Sequence, residues 1–198
     1  SGVDGLNATA LNLKEFIESS KANGGYYIAR YEASYGTDGK ANSKVSIGTP
    51  ATSISTTKTE GMLWNFITQI NATTASRGLY EKVNSDLINS YAWDTAIVYI
   101  QAFSGDTDYS RQNSKNTGSN PANTGVNSDE VCKINDMASN TWEWTTEYST
   151  STNSSYAYPC TNRGGRYASS STYTSRRYSI YFVTYSDKNY TFRPTLYM

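Results

Sequence analysis

The stretch VCKINDMASNTWEWTTE (residues 131–147) decides how this chain folds. Read as a strand, its NTWEW segment places Trp142 and Trp144 on one face and Glu143 on the other, because successive side chains of a strand alternate. Two indoles on one face commit that face to a core. The carboxylate opposite them needs a hydrogen-bond donor, a cation or water.

Downstream, TWEWTTEY, CTNRGGRYA, YSIYFVTY and TFRPTLYM are short β-prone segments divided by Ser, Thr, Asn and Gly turns. Gly164 and Gly165 let the backbone bend, or approach a neighbour where a Cβ would clash. Arg193 and Pro194 fall just inside the last strand, where an arginine commonly pairs with a buried carboxylate.

Upstream the periodicity is helical. NLKEFIESSKANGG predicts a first helix, with Leu13, Phe16 and Ile17 on one face, a capping-box start at Asn12 and Glu15, and a stop at Gly24–Gly25. YYIARYEAS alternates like a strand. ANSKVSIGTPATSISTTKT reads as loop with at most a short edge strand. EGMLWNFITQINATTA predicts a second helix through Leu63, Phe66, Ile67 and Ile70, and SDLINSYAWDTAIVYIQAF a third through Trp93, Ala96, Ile97 and Ile100. Residues 104–130 form a long polar loop of a kind usually functional or disordered. Helices first and short strands after make an α+β domain, one unit over residues 1–198.

Composition narrows the chemistry. Seventeen basic residues balance seventeen acidic ones, so no net field recruits nucleic acid. No apolar run approaches the roughly 20 residues that cross a bilayer. The opening SGVDG reads as the cut edge of an expressed fragment. Histidine is absent, which removes Ser-His and Cys-His pairs and most catalytic zinc sites. Cys132 and Cys160 have no zinc-motif spacing; they either pair or sit buried as small apolar groups.

In order, GGYYIARYEAS, VCKINDMASNTWEWTTE, NRGGRY and FRPTLYM resemble the formylglycine-generating-enzyme-like family, a branch of the C-type lectin fold. The resemblance spans roughly Gly25 to Met198. It implies that fold, and in the family's calcium-binding members a site near the tryptophan motif. Carried over, the calcium ligands are the side chains of Asp136 and Glu143 and the backbone carbonyls of Ser139 and Thr141, hard oxygen donors. Where the family usually has Ala-Gly-Asn, this chain has Ala138–Ser139–Asn140. No other cofactor is expected. The family's oxidases use two cysteines shortly after the RGG motif; here Ser169 and Thr174 stand at those positions, and no enzyme activity is expected.

A second branch of the fold is more similar: the variable proteins of diversity-generating retroelements, among them phage tropism determinants. Their C-terminal segment is rewritten by a reverse transcriptase that errs at template adenines, which yields mixtures rich in Tyr, Ser, Thr and Asn. SSSTYTS and YSIYFVTYSDKNY have that character, within a candidate variable segment at 166–190. The resemblance implies a non-catalytic domain on a phage tail fibre or cell surface that binds a protein or glycan of a host or target cell, without membrane insertion, in a full-length protein that is a candidate oligomer. Ligand contacts are expected at Tyr167, Ser169, Ser171, Tyr173, Tyr181, Val183, Tyr185 and Asp187, and core positions at Phe182 and Phe192. The rivals are a divergent oxidase of the same family and a carbohydrate-binding adhesin with a fixed site.

Overall fold

The computed structural model describes residues 2–113, 118–126, 129–148, 160–169 and 172–198. Helix α1 runs from Gly2 to Ala22, so it starts well upstream of the expected cap at Asn12. Its opening residues include Gly2 and Gly5, but Leu6, Ala8, Ala10 and Leu11 are good helix formers and no proline interrupts the segment. It ends as expected: Gly24 and Gly25 have φ of 77° and 143°, and the Gly25 amide donates to Ser20 O. Phe16 is buried, 4.9 Å from the Tyr26 ring and 5.2 Å from that of Tyr197.

The expected strand at 26–34 is two short pieces, β1 (Tyr27–Ile28) and β2 (Ser34–Tyr35), the latter paired with β3 (Ala41–Asn42). Glu32 and Ala33 are both fully buried, which breaks the inside-outside alternation of one continuous strand. The second helix is also shorter than its apolar spacing predicts. Helix α2 covers only Gln69–Ser76, capped by the Thr68 hydroxyl accepting from the Asn71 amide. Residues 62–64 are extended, their backbone bonded to Ala33 and Tyr35. Leu63 and Ile67 are buried, but Ile70 is exposed. Sheet pairing overrode helical periodicity here.

Strand β4 (Asn84–Leu87) leads into α3 (Ser90–Phe103), whose Asn89 cap accepts from the Ala92 amide. Trp93, Ala96, Ile97 and Ile100 are buried, the expected stripe. A hairpin of β5 (Glu130–Val131) and β6 (Ile134–Asn135) follows, then β7 (Trp142–Tyr148), β8 (Cys160–Arg163), β9 (Arg177–Tyr181), β10 (Tyr190–Phe192) and β11 (Pro194–Tyr197). One sheet has the order β1-β11-β4, and a second β10-β7-β8-β9, with β10 parallel to β7.

The second sheet divides two cores. Trp144, Tyr190, Phe192 and Cys160 pack with Ile67, Ala72 and Ala75 on one side; Trp93, Ile97, Ile100, Phe16 and Met137 form the other. No helix among the described residues is long and apolar enough to cross a membrane.

Candidate ligand-binding surface

Glu143 faces away from the two tryptophans, and its partner is Arg193. Both are fully buried. Arg193 Nε donates to Glu143 Oε2 at 2.7 Å and Nη2 to Oε1 at 2.5 Å, while its other N–H groups reach the carbonyls of Ala29 and Asn135 at 2.9 Å. Burial pushes the Glu143 carboxyl up, and the guanidinium pulls against that rise. This bidentate pair ties β7 to the β10–β11 junction.

The carboxylates nominated for calcium are already committed. Both Glu143 oxygens face a guanidinium, and Asp136 Oδ2 accepts from the Thr124 hydroxyl at 2.9 Å and the Gly125 amide at 2.7 Å. A divalent cation there would sit beside Arg193 and displace these donors, so the residues do not fit calcium. Among the described residues, no cluster of three or more His, Cys, Asp or Glu side chains is arranged to hold a metal. Ser139, where the family's glycine stands, does not need a positive φ; its hydroxyl donates to Asp129 Oδ2 at 2.8 Å.

Glu32 completes the buried frame. It accepts from the Thr141 amide at 3.1 Å, the Thr141 hydroxyl at 2.5 Å and the Asn140 side-chain amide. Burial and the nearby carboxylates of Asp136 and Glu143 nonetheless raise its pKa well above the usual range. A carboxyl raised by folding stabilises the native state below its unfolded value, and that contribution is lost as pH rises through the folded value. Thermal midpoints are therefore expected to fall between pH 5 and pH 7.5, and Glu32→Gln to flatten the slope. An unchanged slope in that variant would assign the pH dependence elsewhere.

The turn after β8 is fixed by close backbone approach. Gly164 has φ 81°, and a Cβ on Gly165 would lie 2.1 Å from Ala138 O. From this turn the chain enters the candidate variable segment.

The structure sorts the expected contacts. Tyr173 is 43% exposed, and Ser169, Tyr181, Val183, Tyr185 and Asp187 are half-buried. Ser171 lies outside the described residues. Tyr167, expected on the surface, is instead buried at 3%: its ring packs under Arg166 and Lys188, and its hydroxyl donates to Asn189 Oδ1 at 2.5 Å. Phe182, expected in the core, is 47% exposed, because β9 ends at Tyr181 and a turn throws the next side chain outward. The stacked rings of Tyr181 and Tyr185, 3.8 Å apart, fill the core edge against Tyr190 instead. Phe192 is fully buried, as expected.

Tyr178, 37% exposed, and its neighbour Arg176 belong to the same surface, and neither is among the contacts expected from the sequence. A signal for the arginines existed: between Glu147 and Asp187 there are four arginines and no acidic residue. The polar loop contributes too. Residues 118–126 are fastened to the frame by Asn140, whose side chain bonds both the amide and the carbonyl of Ala122, and Lys188 donates to Asn120 Oδ1 at 2.9 Å.

The cysteines are free; Cys160 is buried, donates to Gln69 Oε1, and has its thiol pushed up to about 12 by burial. Thr174 is buried with its hydroxyl on Gln112 O. Two concavities among the described residues, of about 680 and 590 Å³, are lined by no residue of 166–190.

No family model matches the chain, and no curated protein does. Among solved structures, it is similar to a Major Tropism Determinant I1 variant over 87% of this chain, at 16% identity and a TM-score of 0.52. Weaker likenesses are to Treponema denticola variable protein 1 (17% identity, 60% of this chain, TM-score 0.43) and to CarF (15%, 58%, 0.44). The chain covers 50%, 49% and 48% of those chains, about half of each. The likeness to the tropism determinant is one of fold: an α+β domain of the C-type lectin type.

Proposed function

We propose that this domain is the ligand-binding part of a diversity-generating-retroelement variable protein, with the formylglycine-generating-enzyme-like subtype of the fold, displayed on a phage tail fibre or cell surface. It recognises a protein or glycan on another cell and performs no chemistry. The observation that carries this reading is the contrast between the buried frame and the segment around β9. Buried pairs and backbone contacts hold the frame, while Tyr173, Tyr178 and Phe182 stand exposed on a Tyr/Ser-rich segment that the frame supports. Tyrosine offers a large, rigid, amphipathic surface with two torsions to freeze, and serine adds adaptable hydrogen bonding, the mixture antibody paratopes use.

An oxidase reading has little support. Cys160 is a buried thiol at neutral pH, poorly suited to hold copper as a thiolate, and hydroxyls stand at the two positions after the RGG motif. A fixed calcium-dependent glycan site has little support either, since the nominated carboxylates are engaged within the protein.

The test is a displayed library in which the exposed Tyr173, Tyr178 and Phe182 are randomised while the frame and the arginines stay fixed, selected against a panel of purified proteins. Most members should fold with thermal midpoints within about 5 °C of the parent, since exposed substitutions usually change stability by less than about 0.5 kcal/mol, and selection should recover specific binders. General misfolding, or selection that never rises above the parent, sinks the reading. Beside the gene, a near-copy of the 3′ coding segment that differs at template adenines, next to a reverse transcriptase, is the matching genomic expectation.

A further inference from the structure

Among the described residues, six of the chain's eight arginines hold a carboxylate within 4.0 Å, and Arg166 and Arg176 do not. These two are stacked on rings instead. Arg176 lies 4.1 Å from the Tyr178 ring and 5.3 Å from that of Trp142. Arg166 lies 4.8 Å from the Trp142 ring and 5.7 Å from that of Tyr167, and Lys188 Nζ is 5.9 Å from Tyr167. Cation and ring thus alternate from Tyr178 through Arg176, Trp142, Arg166 and Tyr167 to Lys188.

We infer that Arg166, Arg176 and Lys188 form a binding site for carboxylates, and that the ligand meets this surface with an acidic stretch of polypeptide. The inference rests on the reading of this face as the ligand-binding surface, and adds the chemistry of what binds.

A guanidinium laid against a ring keeps its N–H edge free, oriented for bidentate pairing with a planar anion. Among the described residues the Arg176 guanidinium has no ion pair and donates no hydrogen bond, although such groups are rarely left without acceptors. Arg166 gives one N–H to Asn189 Oδ1 at 3.2 Å, and its buried Nε has no partner. Among the described residues Lys188 reaches neutral oxygens, Asn120 Oδ1 and Ser119 O. Asp187, the acid adjacent in sequence, turns Oδ1 toward the amides of Asn189 rather than to any of the three cations. The four nearest-in-sequence arginines began with no acid of their own; Asp94 and Glu147 serve Arg163 and Arg177, and nothing is left for the other two.

Three features favour an acidic polypeptide over a nucleic acid or a sulfated polysaccharide. The chain is neutral overall, so it lacks the field that draws nucleic acid or sulfated polysaccharide. The Trp142 ring already lies against two guanidiniums, which leaves it poorly placed to stack on a sugar. The rings and hydroxyls around the cations match protein-recognition surfaces, where arginine and tyrosine are enriched.

The experiment measures binding of poly-L-glutamate and of heparin to the full chain in 50 to 300 mM salt. Variants are Arg176→Gln, the triple Arg166→Gln/Arg176→Gln/Lys188→Gln, and Lys14→Gln as a charge-loss control on an exposed side chain of α1. Poly-L-glutamate should bind, weaken about tenfold in Arg176→Gln, and be lost in the triple variant while the control binds normally and all thermal midpoints hold. Equal binding by the triple variant and the control overturns the site. Heparin binding without poly-L-glutamate binding overturns the polypeptide class. Binders recovered from the library alongside no poly-L-glutamate binding would overturn this inference and leave the surface reading intact; the converse result would do the opposite.

Discussion

Arg193→Met is expected to cost about 3–5 kcal/mol of folding stability, the range for breaking a buried ion pair by removing one partner. The variant leaves Glu143 fully buried with no cation, and strips the carbonyls of Ala29 and Asn135 of their donors. Urea unfolding at pH 7.5 measures the loss. Because burial already raises the Glu143 carboxyl, and losing Arg193 raises it further, the orphaned acid binds a proton more readily in the folded than in the unfolded state. Stability gained that way is present at low pH and lost as pH rises. The gap to wild type should therefore narrow at pH 5. Glu143→Met added to Arg193→Met should restore much of the stability, since an apolar pair of similar volume avoids desolvating two charges. If Arg193→Met alone costs less than about 1 kcal/mol, the pair is not what fastens β7 to the chain's end.

The two members of that pair were legible separately and their meeting was not: strand alternation sets Glu143 apart from Trp142 and Trp144, in need of a donor or a cation, and an arginine just inside the last strand needs a carboxylate. The same argument placed Phe192 in the core and put the stripe of α3 inside, since both segments keep one period over their whole length. Elsewhere a local rule met a stronger non-local one. The apolar spacing at 60–70 looks helical, yet the backbone of 62–64 bonds to β2 and its flank, and the helix waits until the Thr68 cap. Tyr167 and Phe182 exchanged roles because one is drawn inward by Asn189 and the other is turned out beyond the end of β9. Tyrosine suits a half-buried strand and a wet surface equally, so composition does not say which. The arginines were a matter of accounting: an acid-free stretch with four of them was visible, but which two found partners depended on Asp94, far away on α3.

Gly165→Ala is expected to destabilise by about 3 kcal/mol or more, the upper end for overpacking, and to lower the thermal midpoint by roughly 6–12 °C for a chain of this size. Its new Cβ would meet Ala138 O at 2.1 Å and the Ala138 carbonyl carbon at 2.9 Å, with Thr172 O at 3.3 Å on the other side. None of these is the end of a flexible side chain. Relief requires moving the turn at 137–140, and that turn carries Asn140, which bonds Glu32 and holds the polar loop at Ala122. It also carries Thr141, which anchors Glu32. Ala168→Gly, three residues on, is the natural contrast: Ala168 is exposed at φ 55°, a conformation that costs an L-residue about 1 kcal/mol, so glycine there should be neutral or mildly stabilising. Differential scanning of both variants separates contact from chain entropy, because the two substitutions change backbone freedom in opposite senses. If Gly165→Ala melts within 2 °C of wild type, the close approach of the two turns is not what sets the position of Arg166 and Tyr167, and the rigid frame assumed beneath the binding surface loses its footing.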